Sequence, residues 1–286
     1  MRVVFFIAAL ASILAVILIC VFLFAQGLPA MLRIGIPEFL LGTRWAPLHS
    51  NPAFGILPMI LGSIYVTAGA ILLGVPIGIF TAIFMARVCP NPLYRLIKPA
   101  FNLMAGVPSV IFGFFGMMVV VPAIFEVLGK RLDMMSGDSM LAASIILGIM
   151  ILPTVIGIAE TNLRAVPQEL YEGAVALGAS HERAVFKVVL PAARSGVMAA
   201  IVLGVGRAIG ETMAVSMVAG NQAALRLPYE FHKGVRTLTT NIVIEMGYVE
   251  HGSLHFGGLI ATGVVLFVFI LIINTIFSVL NQGSKK

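Results

Sequence analysis

The sequence predicts an all-α integral membrane protein with six transmembrane helices. Hydrophobic residues make up 60% of the 286 residues and charged residues only 10%, whereas soluble domains have roughly 45–50% apolar and about 25% charged residues. Six apolar stretches each have about the 20 residues that a helix needs to cross a bilayer. Of the 30 Lys, Arg, Asp and Glu residues, 28 lie outside these stretches. The composition therefore excludes a soluble globular protein.

The first stretch, residues 3–25, contains 23 uncharged residues. As a helix it is about 35 Å long, enough to cross a hydrocarbon core of about 30 Å. We expect it to be retained, because the apolar region of a cleaved signal peptide has only roughly 7–15 residues. Proline inside the later stretches is tolerated when neighbouring groups satisfy the freed carbonyls. The other predicted spans are residues 56–86, 109–125, 140–159, 197–219 and 257–280.

Basic residues are divided unequally between the two sides of these spans. With a cytoplasmic amino terminus, the inner segments hold ten Lys and Arg residues and the outer segments hold seven. Because Lys and Arg are enriched in cytoplasmic loops, we expect both termini to be cytoplasmic. The net charge of +6 is then the cytoplasmic excess, and no nucleic-acid partner is expected. The predicted regions are a first span with its outer loop, a core of five spans and a cytoplasmic tail, at residues 1–55, 56–280 and 281–286.

The longest inner segment, residues 160–196, has the pattern of two short amphipathic helices. Pro167 suits a helix start, and apolar residues follow at helical spacing as far as Gly178. Gly178 is expected to end this helix, because glycine readily adopts the left-handed conformation. A second amphipathic piece is expected to end at Pro191. From the residues alone, the segment is equally compatible with an interfacial elbow that only connects two spans.

Seven residues of this segment form a spaced motif: Glu172, Gly173, Ala174, Gly178, Val188, Leu190 and Pro191. The motif resembles the Glu-Ala-Ala loop of ABC-importer permeases, with Gly for the first Ala and Val for Ile. The resemblance implies that the loop docks into a cleft on a cytoplasmic ATPase subunit and passes its closure to the membrane helices. The chain has no G-x-x-x-x-G-K-[ST] motif. We therefore expect a transport subunit with no catalysis and no cofactor of its own, and with ATP and magnesium on the partner ATPase.

Two charged residues, Arg207 and Glu211, lie inside the fifth predicted span. Each costs about 2.5–3.5 kcal/mol at a helix centre unless it is paired or faces a polar cavity. Four positions apart on one helix, they are expected to lie about 40° apart and to touch. Gly206 and Gly210 are expected to let a neighbouring backbone approach. The pair is either a self-neutralising device that fixes helix packing or a solute site in a translocation pathway.

The solute-site interpretation has a specific chemistry. An arginine binds a phosphate oxyanion through two parallel hydrogen bonds. Glu211 can accept a hydrogen bond from a protonated oxygen, which inorganic phosphate keeps near neutral pH and sulfate lacks. Thr212 adds an adjacent hydroxyl and is a weaker candidate. Arg207, Glu211 and Thr212 are therefore predicted as a substrate translocation site.

Two segments, GRAIGETMAV at residues 206–215 and GVPSVIFG at residues 106–113, are similar to the phosphate (Pst) ABC-transporter permeases. The first resembles the PstC-type subunit more than its PstA-type partner. The resemblance implies a type I ABC-importer permease fold in a bacterial or archaeal plasma membrane, with phosphate passing near Arg207 and Glu211. The implied partners are a second, PstA-type permease subunit, two ATPase subunits, an extracytoplasmic phosphate-binding protein and membrane lipid.

Two rival functions are compatible with some of these residues. A permease for sulfate, molybdate or an amino acid would share the docking loop. Only residues 206–215 distinguish such a permease from one for phosphate. An intramembrane enzyme using Glu211 and a histidine would need a catalytic motif in or beside the spans. No His lies inside a predicted span, and neither H-E-x-x-H nor G-x-S-x-G occurs.

The outer segment, residues 220–256, is long for a turn. Residues 236–246 are expected to form a helix on the outer face, where a solute-binding protein is received. His251 and His255 have the spacing of a metal pair but no third ligand, so solvated loop residues are the favoured interpretation. Trp45 and Tyr94 are expected in the aromatic belt at the membrane interfaces.

Overall fold

The computed structural model describes residues 1–282, which are mostly helical. The helices α1 to α14 are Arg2–Ile34, Ile36–Leu41, Leu57–Ile83, Asn91–Gly106, Ser109–Phe115, Val121–Leu132, Met140–Arg164, Gln168–Ala176, His181–Ala184, Leu190–Ala192, Arg194–Gly210, Met213–Val218, Leu238–Met246 and Leu254–Gln282. π-Helical turns continue α3, α5 and α9 over Phe84–Val88, Gly116–Val120 and Val185–Val189. The strands β1 and β2 are Trp45–Ala46 and Ala53–Phe54, and a 3-10 turn spans Pro228–Glu230. Residues 283–286 of the predicted tail lie outside the described residues.

Among the described residues, five helices are long and apolar enough to cross a membrane. They are Arg2–Ile34, Leu57–Val88, Ser109–Leu132, Met140–Arg164 and Leu254–Ile276. They correspond to the predicted first, second, third, fourth and sixth spans. The prediction of one fifth span over residues 197–219 is wrong. Helix α11 ends at Gly210 and the separate helix α12 follows. With His181–Ala192, the helix Arg194–Gly210 forms a pair bent by 72°, and counting this pair as one span gives a total of six among the described residues.

One compact unit consists of Met1–Gly62, Asn221–Arg226 and Val235–Phe269. Its core contains the fully buried side chains of Phe39, Ile56, Met59, Leu238 and Leu259. The strands β1 and β2 pair antiparallel, with Trp45 opposite Phe54. The two rings meet edge to face with centroids 5.9 Å apart. This cross-strand aromatic contact stabilises a hairpin whose strands are only two residues long.

The second unit consists of Ser63–Gly220, Leu227–Gly234 and the chain from Ile270 onward. Its central helix is α7. Ser139 caps the amino end of this helix, because its hydroxyl oxygen accepts a hydrogen bond from the Ala142 N–H at 3.2 Å. The helix is buried along most of its length. Helix α11 packs against it. Gly204 permits this close approach, because a Cβ atom there would lie 2.8 Å from Val155 Cγ2.

Candidate functional site

The backbone between Gly210 and Met213 breaks the predicted fifth span. Helix α11 ends at Gly210, and Glu211 has an extended conformation with φ −71° and ψ 131°. Thr212, at φ −122° and ψ −54°, precedes the short helix α12. The prediction that Arg207 and Glu211 share one helical face is therefore wrong, because the ψ angle of Glu211 turns the chain out of the helix.

The three predicted site residues lie at this break, and all are half-buried. The Arg207 guanidinium donates through Nη1 to the Thr154 hydroxyl of α7 at 3.2 Å. The Glu211 carboxylate accepts a hydrogen bond from the Ala214 N–H at 3.3 Å. The Thr212 hydroxyl donates to the Gly210 carbonyl at 3.3 Å. The arrangement therefore places a cation, a carboxylate and two hydroxyls close to two adjoining helix ends.

A helix break inside an apolar region has consequences for binding. The last carbonyls of one helix and the first N–H groups of the next lack partners within their own helices. The amino end of a helix also carries a partial positive charge, and the Glu211 side chain accepts an N–H at this end of α12. Broken helices of this kind form ion and substrate sites in membrane transporters. The break, together with Arg207, is suited to an anion.

The two segments that resemble phosphate permeases lie against each other. Helix α5, which begins in the segment 106–113, packs on α12, which begins in the segment 206–215. A Cβ atom at Gly113 would lie 2.9 Å from the Cα atom of Ala214, so glycine is needed for this contact. In contrast, a Cβ atom at Gly206 or Gly210 would meet nothing within 4 Å in the described part of the chain. The expected approach of a backbone to these two glycines is therefore not found within this chain.

The inner segment forms two helical pieces joined at Gly178, as predicted. Helix α8 contains Glu172, Gly173 and Ala174, and Gly178 has a φ of +88° in the turn that follows. The Tyr171 hydroxyl and His181 Nδ1 are 2.8 Å apart and join the two pieces. Helix α8 has no buried residue.

The exposed surface of α8 and the turn after it combines small residues with exposed apolar ones. Glu172 and Gly173 are exposed, and a Cβ atom at Gly173 would meet nothing within 4 Å among the described residues. Leu177 is 92% exposed. Leu170 and Val175 of α8 are also exposed, and a group of exposed apolar side chains is typical of a docking site for another protein.

The second piece packs against the end of α3 and the carboxyl end of α7. Val185 and Val189 are buried in one core with Leu163 and Val166, and Leu190 packs against its edge. Pro191 is exposed. The predicted end at Pro191 is one residue early, because the helix runs to Ala192 before the bend.

A buried ion cluster at the inner end of α7 was not predicted from the sequence. Glu160 is only 1% exposed. Its carboxylate accepts from Lys98 Nζ at 2.5 Å, from the Tyr94 hydroxyl at 3.0 Å and from Arg164 Nε. Tyr94 is therefore not simply a residue of the aromatic belt. The available signal was the four-residue spacing of Glu160 and Arg164 at the end of an apolar stretch.

A second cluster surrounds Glu245 in the first unit. Its carboxylate accepts from Arg236 Nη1 at 2.7 Å and from Trp45 Nε1 at 2.8 Å, and lies 2.8 Å from His255 Nε2. Trp45 is 8% exposed, so its ring packs inside this unit, and its place at a membrane interface stays a prediction. His255 is partly buried and not a solvated loop residue. In the described residues, no group of three His, Cys, Asp or Glu side chains is placed to hold a metal ion.

Comparison with known proteins places this geometry in a family. Residues 74–286 match the family described as binding-protein-dependent transport system inner membrane component. The chain belongs to this family. The probable ABC transporter permease protein YqgH of Bacillus subtilis is 40% identical over 276 residues, which cover 94% of this chain and 87% of that protein. The phosphate transport system permease protein PstC of Mesorhizobium japonicum is 34% identical over 284 residues, covering 93% and 85%.

Solved structures show the fold. The permease matches an inward-facing MetNI methionine ABC transporter with a TM-score of 0.63 and 18% identity, over 81% of this chain and 96% of that one. It matches a bacterial transporter that imports the acidic polysaccharide alginate with a TM-score of 0.58 and 15% identity, over 93% and 96%. The predicted fold, a type I ABC-importer permease, and the resemblance to phosphate permeases are confirmed. The chain is the membrane subunit of an ABC importer and not its ATPase.

The permease fold brings together only part of what the sequence singled out. Arg207, Glu211 and Thr212 lie at one helix break. Thr154, which was not predicted, accepts a hydrogen bond from Arg207 there. Ala174, Leu190 and Pro191 belong to the inner segment with Glu172, Gly173 and Gly178. The roles of these residues in transport and docking stay predictions.

Proposed function

We propose that this chain is the PstC-type permease subunit of an ATP-driven phosphate importer. It forms half of the translocation pathway with a second, PstA-type permease. Two cytoplasmic ATPase subunits hold ATP and magnesium, and an extracytoplasmic phosphate-binding protein delivers the solute. The complex lies in a bacterial or archaeal plasma membrane, with both termini of this chain in the cytoplasm.

The observation that carries the proposal is the position of Arg207 at the broken helix. Arg207 lies near the end of α11, one turn before the break. Its guanidinium donates a hydrogen bond to the hydroxyl of Thr154 in α7. Relatives named as phosphate permeases align over most of the chain. A guanidinium in an apolar surrounding binds an oxyanion more strongly than it does in water. Phosphate therefore binds transiently to Arg207 as it crosses.

Glu211 and the hydroxyls select the protonated anion. A carboxylate accepts the hydrogen bond of a protonated phosphate oxygen, whereas it repels a fully ionised oxyanion. Thr212 and Thr154 can donate to the remaining oxygens. A solute that carries both a charge and a proton satisfies all of these groups, which favours phosphate over sulfate.

The exposed helix α8 is the proposed contact with the ATPase. Glu172, Gly173 and Ala174 present a surface of little bulk, and Leu177 projects beside Gly178. Leu190 and Pro191 connect this surface to α11. When the ATPase subunits close, the docked segment moves, and the inner ends of the helices move with it.

Uptake by the reconstituted complex tests the proposal. Proteoliposomes containing this chain, its partner permease and the ATPase are given the binding protein, ATP and labelled phosphate. We expect ATP-dependent uptake that arsenate inhibits and sulfate does not. Arg207→Ala should reduce uptake about tenfold or more, since a charged hydrogen-bond donor contributes about 1.5–3 kcal/mol.

The exposed Arg131 provides the matched control. Arg131→Ala removes the same charge at the end of α6 and should leave uptake unchanged. Normal phosphate uptake by Arg207→Ala at equal protein levels would refute the role of Arg207. Absence of phosphate uptake by an otherwise active complex would refute the substrate.

The alternative is a permease for sulfate, molybdate or an amino acid. The 40% identical relative has no solute in its name, and the matched solved structures carry methionine and alginate. Stimulation of the complex by one of these solutes, with no response to phosphate, would favour this alternative.

A further inference from the structure

The inner ends of α3 and α7 are joined by two arginines that reach across to each other's backbone. Arg87, in the π-helical turn that ends α3, donates through Nη2 to the carbonyls of Leu163 at 2.7 Å and Val166 at 3.2 Å. Arg164, the last residue of α7, donates through Nη2 to the Met85 carbonyl at 2.7 Å. We call these two side chains and three carbonyls the arginine clasp.

The clasp satisfies backbone groups that the helices cannot satisfy themselves. The last four carbonyls of a helix have no partner within it and carry a partial negative charge. Leu163 lies in the last turn of α7, and Met85 lies in the turn that ends the second span. Each arginine therefore acts as a cationic cap on the other helix, so separating the two helix ends uncaps both.

Arg164 is fixed from the other side by the ion cluster. Glu160 accepts from its Nε atom, and the guanidinium carbon lies 4.1 Å from the centre of the Tyr94 ring. Lys98 supplies a second cation to the same carboxylate at 2.5 Å. Because Glu160 is buried, its charge must stay paired, and this requirement keeps α4 attached to the clasp.

The clasp extends to the inner docking segment through one hydrogen bond. Arg87 Nη1 donates to Gln168 Oε1, the side chain of the first residue of α8, at 3.1 Å. Helix α3 is also in apolar contact with this segment, because its Ala82 and Ile83 share one core with Val185 and Val189 of the second helical piece. Arg87 thus makes polar contacts with the end of α7, with the turn after it and with the start of α8.

We propose that Arg87 is the positioning residue through which displacement of α8 moves α3 and α7 together. The proposal rests on the function proposed above, in which an ATPase docks on α8. Docking forces act on an exposed helix that has no buried residue of its own. The clasp passes these forces to two membrane helices at once, because Arg87 is hydrogen-bonded to both neighbouring segments. Without it, ATP hydrolysis continues but moves α3 less.

The ratio of solute transported to ATP hydrolysed tests this role in the reconstituted complex. Arg87→Ala should lower phosphate uptake per ATP about three- to tenfold, with ATPase activity within about twofold of the wild type. Arg87→Lys should restore part of the ratio, since an ammonium can reach fewer of the three acceptors at once. Gln168→Ala removes only the contact with α8 and should give a smaller loss. Arg95→Ala, at an exposed arginine of α4, is the control and should leave the ratio unchanged.

A second measurement does not depend on the identity of the solute. Amide hydrogen exchange of residues 79–88 should change when ATP and vanadate are added to the wild-type complex. The change should be much smaller in Arg87→Ala.

Two results for Arg87→Ala would overturn the proposal: an exchange response equal to that of the wild type, or an uptake per ATP equal to that of the wild type. So would loss of the ATPase from purified Arg87→Ala complexes, because that result indicates a role in assembly only. If the wild-type complex shows the exchange response but takes up no phosphate, the proposed substrate is wrong. The exchange response of Arg87→Ala then still tests the role of Arg87.

Discussion

The Glu211 carboxylate lies at the amino end of α12. It accepts a hydrogen bond from the Ala214 N–H at 3.3 Å. The carboxylate and the Arg207 guanidinium are thus positioned by different elements. A small displacement of α12 relative to α11 therefore changes the distance between the carboxylate and the guanidinium. A site that binds an anion only transiently requires such an adjustable distance.

Replacing Glu211 by Gln tests whether its charge selects the solute. Glu211→Gln keeps the size and one acceptor oxygen but removes the repulsion of fully ionised oxyanions. We expect phosphate uptake to fall and inhibition of phosphate uptake by sulfate to appear, with an inhibition constant at least about tenfold lower than in the wild type. Competition assays in proteoliposomes measure both. Glu250→Gln, outside the break, serves as the control, and unchanged sulfate inhibition in Glu211→Gln would contradict the selective role.

Replacing Glu160 tests the energetic importance of the buried ion cluster. Glu160→Gln leaves Lys98 and Arg164 facing a neutral amide in a buried position. Removing one partner of a buried ion pair costs about 3–5 kcal/mol, and the partial exposure of both cations places this case near or below the lower value. Thermal unfolding in detergent should show a clear decrease in the melting temperature. Glu182→Gln, at an exposed carboxylate of α9, should show almost none, and equal melting temperatures for the two variants would contradict the assignment.

The sequence identified single residues best where their chemistry was unusual in their surroundings. Arg207 was detectable because a charge in an apolar stretch is costly. Glu160 was counted as a loop charge, since its partner Lys98 is 62 positions away in the chain. Thr154 was missed because threonine in a membrane helix commonly bonds to its own backbone. The burial of Trp45 and His255 depends on Glu245, which no local pattern connects to them.

At the scale of elements, the inner segment of residues 160–196 was more predictable than the break in the fifth span. Gly178 indicated the turn because its φ of +88° is a conformation that favours glycine. The break at Glu211 and Thr212 has no proline, and its residues lie in a continuous apolar stretch. Contact of α12 with α5 at Gly113 helps to hold the short helix. Such a contact joins positions about a hundred residues apart in the sequence, which periodicity alone does not reveal.

A matched pair of glycine substitutions tests the geometry of the docking segment. Gly178→Ala forces a Cβ into the left-handed region and costs roughly 1–2 kcal/mol, which corresponds to about a five- to thirtyfold change in population. We expect weaker retention of the ATPase and lower uptake. Gly247→Ala adds the same methyl group at the end of α13, where φ is −72° and nothing among the described residues lies within 4 Å of it. Copurification of the ATPase should therefore be normal for Gly247→Ala, and equal effects of the two substitutions would contradict the importance of the Gly178 turn.

At the scale of the whole molecule, the fold and the proposed topology make a joint prediction about accessibility. The exposed Leu177 follows the docking helix, and Tyr248, 85% exposed, follows α13 in the predicted outer segment. Met135 is exposed in the turn between α6 and α7. An odd number of membrane crossings separates Leu177 from each of the other two if α11 completes a span. Leu177 is then on the cytoplasmic side, and Met135 and Tyr248 are on the opposite side.

Cysteine labelling measures this arrangement directly. The chain has two cysteines, Cys20 and Cys89, so Cys20→Ala and Cys89→Ala provide the background. A membrane-impermeant maleimide should label Met135→Cys and Tyr248→Cys in intact cells, and Leu177→Cys only after permeabilisation. Because all three side chains are exposed, unequal labelling reports membrane side and not burial. Labelling of Leu177→Cys and Tyr248→Cys from the same side would contradict a crossing by the broken helix. Labelling of Leu177→Cys alone in intact cells would reverse the orientation and place the docking helix away from any cytoplasmic ATPase.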